Sequence, residues 1–186
     1  MFTRRELFGG AIATFIPENF VDISDVRDVP DNQEVFVNVE TDQSIIVEIL
    51  QHVNTDSDEA AIRHHFMALA ADNDAEEHSD IQKVELAAIP RLPPDVPKYL
   101  LLGQQLVSKF RETDPNSRNL LNILMALIRL PNHNTDIVIT YNIPILIGAT
   151  SSSRQTAREG NLFEGMEVFN RVLTEFEVLS WDLFNA

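Results

Sequence analysis

Between Phe20 and Leu50 the chain sets a dense group of charges, Asp22, Asp25, Arg27, Asp28, Asp31 and Glu34, directly against two strongly apolar runs of β type. Buried strands need an apolar frame, but they do not need this much carboxylate at one rim. A fixed acidic rim on a rigid sheet suits recognition of a basic partner. The residues alone leave two readings open. In one, the segment is a solvated turn whose carboxylates cap main-chain amides, with Ser24 and Asp31 well placed to do so. In the other it is a binding rim, with Asp31 and Glu34 as charge contacts and Asp25, Arg27 and Asp28 as their neighbours. Carboxylates flanking a tight turn lose little entropy on engaging Arg or Lys.

Other chemistry is weakly encoded. Neither Gly-x-x-x-x-Gly-Lys-Ser/Thr nor Gly-x-Gly-x-x-Gly occurs, so both phosphate-cradling loops are missing, and Gly9-Gly10 reads as a bend in a first strand. No Gly-x-Ser-x-Gly elbow is found. The histidines are His52, His64, His65, His78 and His133. His64 and His65 are neighbours on a helix and point about 100° apart, a poor pair for one metal. The histidines read as exposed helix and loop residues, and no metal or cofactor is expected. Carboxylate pairs are so common here that a hydrolase built on one has no specific signal, and it is kept only as a third class of function.

The elements that must carry the rim are legible from periodicity. Residues 7 to 16 read as a first strand, Pro17-Glu18-Asn19 as a turn and Phe20 to Ile23 as a short returning strand. Ser24 is expected to cap one helical turn, Asp25 to Asp28, before Pro30-Asp31-Asn32 redirects the chain. Glu34 to Val39 alternates as a strand. Ser44 to Val53 also fits a helical stripe but reads as its hairpin partner, because the run is rich in β-branched residues. It is placed centrally in the sheet, with apolar side chains on both faces.

Asp56-Ser57-Asp58-Glu59 starts a helix that runs to about Ala71 and buries Ile62, Phe66 and Leu69. Further strands are expected over Ile81 to Ile89, Tyr99 to Phe110, Leu120 to Leu130 and Ile137 to Ile143, the last two pairing across Pro131 to Asp136. Gly148 to Gly160 reads as a mobile linker. A final helix from Leu162 to about Leu179 presents Leu162, Met166, Phe169, Leu173 and Phe176. Trp181, Leu183 and Phe184 are expected to fold back onto the body. Hairpins interrupted by a few helices imply an α+β fold, a largely antiparallel central sheet flanked by helices on both faces.

At 186 residues and 44% apolar, the chain suits one domain with a real core, taken as residues 1–186. A formal net charge of −15 argues against nucleic acid and anionic membrane surfaces, both of which reward clustered cations. The lysines, Lys83, Lys98 and Lys109, are scattered. There is no cysteine, which suits a reducing compartment. No apolar stretch approaches the ~20 residues that span a bilayer, so no membrane insertion is expected. Thr3-Arg4-Arg5-Glu6-Leu7-Phe8 faintly resembles a twin-arginine export signal, but the apolar run behind it ends too early, at Pro17. The chain reads as intracellular.

Several blocks of residues are similar to the Ran guanine-nucleotide release factor family, also called the Mog-one family. They include Leu7-Phe8-Gly9-Gly10-Ala11, Asp22-Ile23-Ser24-Asp25-Val26-Arg27, Val29-Pro30-Asp31-Asn32-Gln33-Glu34-Val35-Phe36 and Thr41-Asp42-Gln43-Ser44-Ile45-Ile46-Val47-Glu48. Later matches are Ala126-Leu127-Ile128-Arg129-Leu130, Thr135-Asp136-Ile137-Val138-Ile139-Thr140, Asn142 and Asp182-Leu183-Phe184. Residues 53 to 100 match only in general character.

The resemblance implies a PsbP-like fold, with an antiparallel sheet between helices. It also implies a partner, the small GTPase Ran, and a role in nuclear import through release of Ran-bound guanine nucleotide. The family's Ran-binding acidic residues carry over to Asp31 and Glu34. On this reading the chain is a monomeric, non-enzymatic binding protein of nucleus and cytoplasm, with other Ran-binding proteins as further partners. The competing expectation is a PsbP-like adaptor for another basic protein.

Overall fold

The computed structural model describes residues 1–108 and 113–185. In chain order the elements are β1 (Phe2–Leu7), β2 (Ile12–Pro17), β3 (Val21–Asp22), β4 (Gln33–Asn38), β5 (Gln43–Gln51), α1 (Asp58–Asp72), β6 (Ser79–Leu86) and β7 (Lys98–Ser108). They continue with β8 (Arg118–Leu130), β9 (Thr135–Leu146), α2 (Leu162–Thr174) and β10 (Glu177–Val178). Among the described residues, seven strands form one antiparallel sheet in the order β3-β4-β5-β9-β8-β7-β6. A smaller sheet has the order β1-β2-β10.

Strand side chains alternate between faces, and the central strands use both. From β8, Leu124, Ala126, Ile128 and Leu130 join one buried cluster, while Ile123, Met125 and Leu127 join the other. The first cluster takes Phe169, Val172 and Leu173 from α2 and Leu7, Ile12 and Ile16 from the β1-β2 hairpin. The second takes Ala61, Ile62 and Phe66 from α1. The helices therefore cover opposite faces, as the pattern of hairpins and helices implies. β5 lies between β4 and β9, inside the sheet as expected.

Local chemistry sets the helix ends. Ser57 Oγ accepts from Ala60 N–H at 3.0 Å, and Asp58 and Glu59 sit in the first turn, where the helix dipole favours carboxylates. Asn161 Oδ1 accepts from Phe163 and Glu164 N–H at 2.8 and 3.2 Å to start α2. Gly165 lets α2 approach the sheet closely, since a Cβ there would fall 2.2 Å from Ile143 Cδ1.

Several expectations need correction. The first strand begins at Phe2, and Gly9-Gly10 is not a bend within it. With Phe8, these residues form a turn at φ of 50, 66 and 89°, closing a hairpin between β1 and β2. Ser24 caps no helical turn; Asp22 Oδ1 instead accepts from Ser24 N–H and Oγ–H at 2.9 and 2.7 Å. β6 ends at Leu86 rather than Ile89. The strand expected to reach Phe110 is β7; Lys109 and Phe110 lie outside the described residues. α2 stops at Thr174 because Glu177 and Val178 leave it to pair with Ala13 and Ile12.

The segment from Gly148 to Gly160 is not a free linker. Ser151 and Ser153 are buried, Ser153 Oγ donates to Asp42 Oδ2 at 3.0 Å, and Arg158 N–H donates to Glu40 O at 2.9 Å. The tail does fold back. Phe184 is buried, and Trp181 stacks on His133 with ring centroids 6.0 Å apart.

Candidate functional site

The turn leading into β4 fixes the carboxylates singled out above. Pro30 presets the bend, and Gln33 N–H donates back to Pro30 O at 2.9 Å. Asn32 extends the β4–β5 ladder by one step, since Ile49 N–H donates to Asn32 O at 2.9 Å and Asn32 Nδ2 donates to Ile49 O at 3.1 Å. Gln33 Nε2 donates to Glu48 Oε1 at 2.6 Å. Burial raises the Glu48 carboxyl above the usual carboxylate range, and the Gln33 hydrogen bond only partly offsets this.

On this scaffold Asp31 is exposed and makes no side-chain hydrogen bond or ion pair among the described residues. Glu34 is half-buried, and its Oε1 accepts from Phe8 N–H at 2.6 Å. Asp31 is therefore open to solvent, whereas one oxygen of Glu34 is committed to the β1–β2 turn. Both residues line one open cleft of about 600 Å³. Its other walls include Phe8, Val29, Ile49 and Leu183, so an acidic lip stands over apolar side chains. Asp25, Arg27 and Asp28 are exposed on the loop before β4 but do not line the cleft.

A second charged cluster escaped the reading of the sequence. Asp136, fully buried on β9, accepts from His52 Nδ1 at 2.9 Å, His65 Nε2 at 2.9 Å, Val53 N–H at 3.1 Å and Arg129 Nε at 3.2 Å. Arg129 is itself buried, donates to Asp58 Oδ1 at 3.0 Å and Val53 O, and sets Nη2 2.8 Å from His52 Nε2. An ionised carboxylate only accepts, so His52 Nδ1 carries the proton given to Asp136, and Arg129 Nη2 also lies 3.2 Å from that nitrogen.

Burial alone would raise the Asp136 carboxyl. The hydrogen bonds from His65 and the Val53 amide, together with the Arg129 charge, outweigh it and hold the group below the usual carboxylate range. His65 is thus a buried partner of Asp136, not an exposed helix histidine. The available signal was a pair of charges, Arg129 and Asp136, facing each other across β8 and β9 beside the apolar pairs Ile128–Ile137 and Leu127–Val138.

The family profile described as Ran-interacting Mog1 protein matches residues 5–144. The chain belongs to the Ran-interacting Mog1 protein family. The matched span holds Asp31, Glu34, Arg129 and Asp136, and it ends before α2. Among relatives, the probable Ran guanine nucleotide release factor of Dictyostelium discoideum is 35% identical over 98% of this chain and 96% of its own length. The Ran guanine nucleotide release factor of Danio rerio is 40% identical over 80% of this chain and 82% of its own. A crystal structure of the Saccharomyces cerevisiae Ran-binding protein Mog1p superposes with a TM-score of 0.74 at 26% identity, covering 99% of this chain and 98% of that one. The Mog1 fold accordingly extends through α2 and the tail.

Proposed function

We propose that the chain binds the small GTPase Ran and promotes release of its bound guanine nucleotide, in the service of nuclear protein import. Membership of the Ran-interacting Mog1 family and the release-factor names of its relatives support the activity. The observation that carries the site is the shared cleft of Asp31 and Glu34, acidic at its lip and held by the Pro30 turn. Residues 1–186 act as one Ran-binding domain in nucleus and cytoplasm, and the action is binding without covalent chemistry.

A binder shifts an equilibrium only through differential affinity. Release follows if the acidic lip engages Ran more tightly once the nucleotide phosphates and Mg²⁺ have left. Basic side chains otherwise committed to phosphate are then free for Asp31 and Glu34. Asp25, Arg27 and Asp28, outside the cleft, shape the field around it.

The test is to mix the protein with Ran carrying a fluorescent guanine nucleotide and follow the dissociation rate. The wild type accelerates dissociation, and a folded Asp31→Ala/Glu34→Ala variant does not. Each lost contact weakens Ran binding by about 2 kcal/mol, roughly thirtyfold. Full acceleration by the folded double variant rejects the assigned site, and no acceleration by the wild type rejects the release activity.

A further inference from the structure

The hydrogen bond between Phe8 and Glu34 joins parts of the chain that the sequence separates by 26 residues. Phe8 lies at the tip of the β1–β2 hairpin, in the smaller sheet, whereas Glu34 belongs to β4 in the larger one. The bond is short, 2.6 Å, and its acceptor is a carboxylate, which places it among the stronger hydrogen bonds. It engages Oε1 and leaves Oε2 for the cleft that Glu34 lines. The donor is a main-chain amide, so its direction is set by backbone geometry alone. That geometry is unusual, because Phe8, Gly9 and Gly10 all have positive φ. Such a path is open to glycine and closed to a β-branched residue. At Gly9 the constraint is purely one of backbone, since an added Cβ would meet nothing within 4 Å.

We infer that the Phe8-Gly9-Gly10 turn is a positioning element for partner binding: it fixes Glu34 through the Phe8 amide, so that the carboxylate is presented to Ran already oriented. Gly9 lines the cleft, but the turn acts on Glu34 through the Phe8 amide, which need not touch the partner. This removes the rotamer freedom that a half-buried glutamate would otherwise lose on binding. This rests on the reading of Glu34 as a Ran contact.

A double-variant cycle separates the two ideas. Gly9→Val should weaken Ran affinity by about tenfold, the size of one charge-assisted hydrogen bond. In a Glu34→Ala background the same change should leave affinity unaltered while still lowering the melting temperature. Gly9→Asn, which accepts a left-handed backbone, should restore most of the affinity.

Equal losses in both backgrounds, or no loss with Glu34 present, overturn the inference and leave the proposed site standing. No loss from Glu34→Ala alone instead overturns the proposed site. Should Gly9→Val not fold, Gly9→Ala takes its place in the cycle. The amide proton of Phe8, followed by NMR in the otherwise unaltered protein, gives a further check free of Ran. Glu34→Ala should shift that resonance upfield, and an unmoved resonance overturns the inference.

Discussion

The acidic cleft and the Asp136 cluster use the same kind of group for opposite ends. In the cluster the carboxylate is fully buried, and both of its oxygens are taken, Oδ1 by His52 and Arg129 and Oδ2 by His65 and the Val53 amide. In the cleft Asp31 has no partner within the described residues and Glu34 has one, for a single oxygen. The difference lies in who completes the pairing. A saturated carboxylate ties the end of β5, α1, β8 and β9 together, and it has nothing left to offer a visitor. An incompletely paired one on a fixed turn keeps an oxygen for binding.

The largest effect should come from breaking the saturated side. Asp136→Ala leaves the buried Arg129 guanidinium without its central acceptor, and it strands His52 and His65. Removing one member of such a buried group typically costs about 3–5 kcal/mol, so chemical denaturation should show a loss of that order. The Ran affinity of the fraction that remains folded should match the wild type. A loss below about 1 kcal/mol, the scale of an ordinary hydrogen bond, would mean the cluster is not the structural tie described.

Acid should erode that same tie. The Asp136 carboxyl is held lower in the folded chain than in the unfolded one. Its contribution is therefore fully present above the ordinary aspartate range, about pH 4, and is lost as pH falls through the lower folded value. Melting curves of the wild type and Asp136→Asn should be furthest apart near neutrality and converge below about pH 4. Curves that stay parallel down to the most acid point would show that the charge of Asp136 is not what the cluster uses.

How far the sequence revealed each region follows from the distances its contacts span. Local signals placed the turn at Pro17, the helix starting after Ser57, the Pro30-Asp31-Asn32 bend and part of the stripe of α2, where Phe169 and Leu173 are buried but Met166 is exposed and Phe176 lies past the helix end. The segment from Gly148 to Gly160 misled, since its polar composition resembles a linker while its hydrogen bonds reach back to Asp42, Glu40 and Asn116. The start of β1 was hidden because Thr3-Arg4-Arg5-Glu6 shows no apolar alternation. Among the described residues it is an outer strand paired with β2, and Arg5 lies over the Phe36 ring.

The Asp136 cluster needed histidines 84 and 71 residues away, one of them on a helix whose register alone gives no hint of a buried polar contact. The cleft was legible only on its β4 side. Its Phe8 and Leu183 walls come from the two ends of the chain, which periodicity cannot bring together.

The smallest expected effect would sharpen the distinction within the acidic side itself. Asp25 and Asp28 stand outside the cleft and Asp31 stands in it, although all three are exposed. Charges at the rim of an interface act chiefly on the rate of encounter, and salt screens them over a Debye length of about 10 Å at 0.1 M. Asp25→Asn with Asp28→Asn should therefore slow association with Ran by about threefold or less at low salt, leave dissociation unchanged, and become indistinguishable from wild type at high salt. Asp31→Asn should instead raise the dissociation rate and keep most of that effect in salt, because a contact seated against Phe8, Ile49 and Leu183 excludes the ions that would screen it. If the outer pair slows association no less at high salt, or raises the dissociation rate as Asp31 does, the boundary drawn at the cleft wall is in the wrong place and the whole loop belongs to the interface.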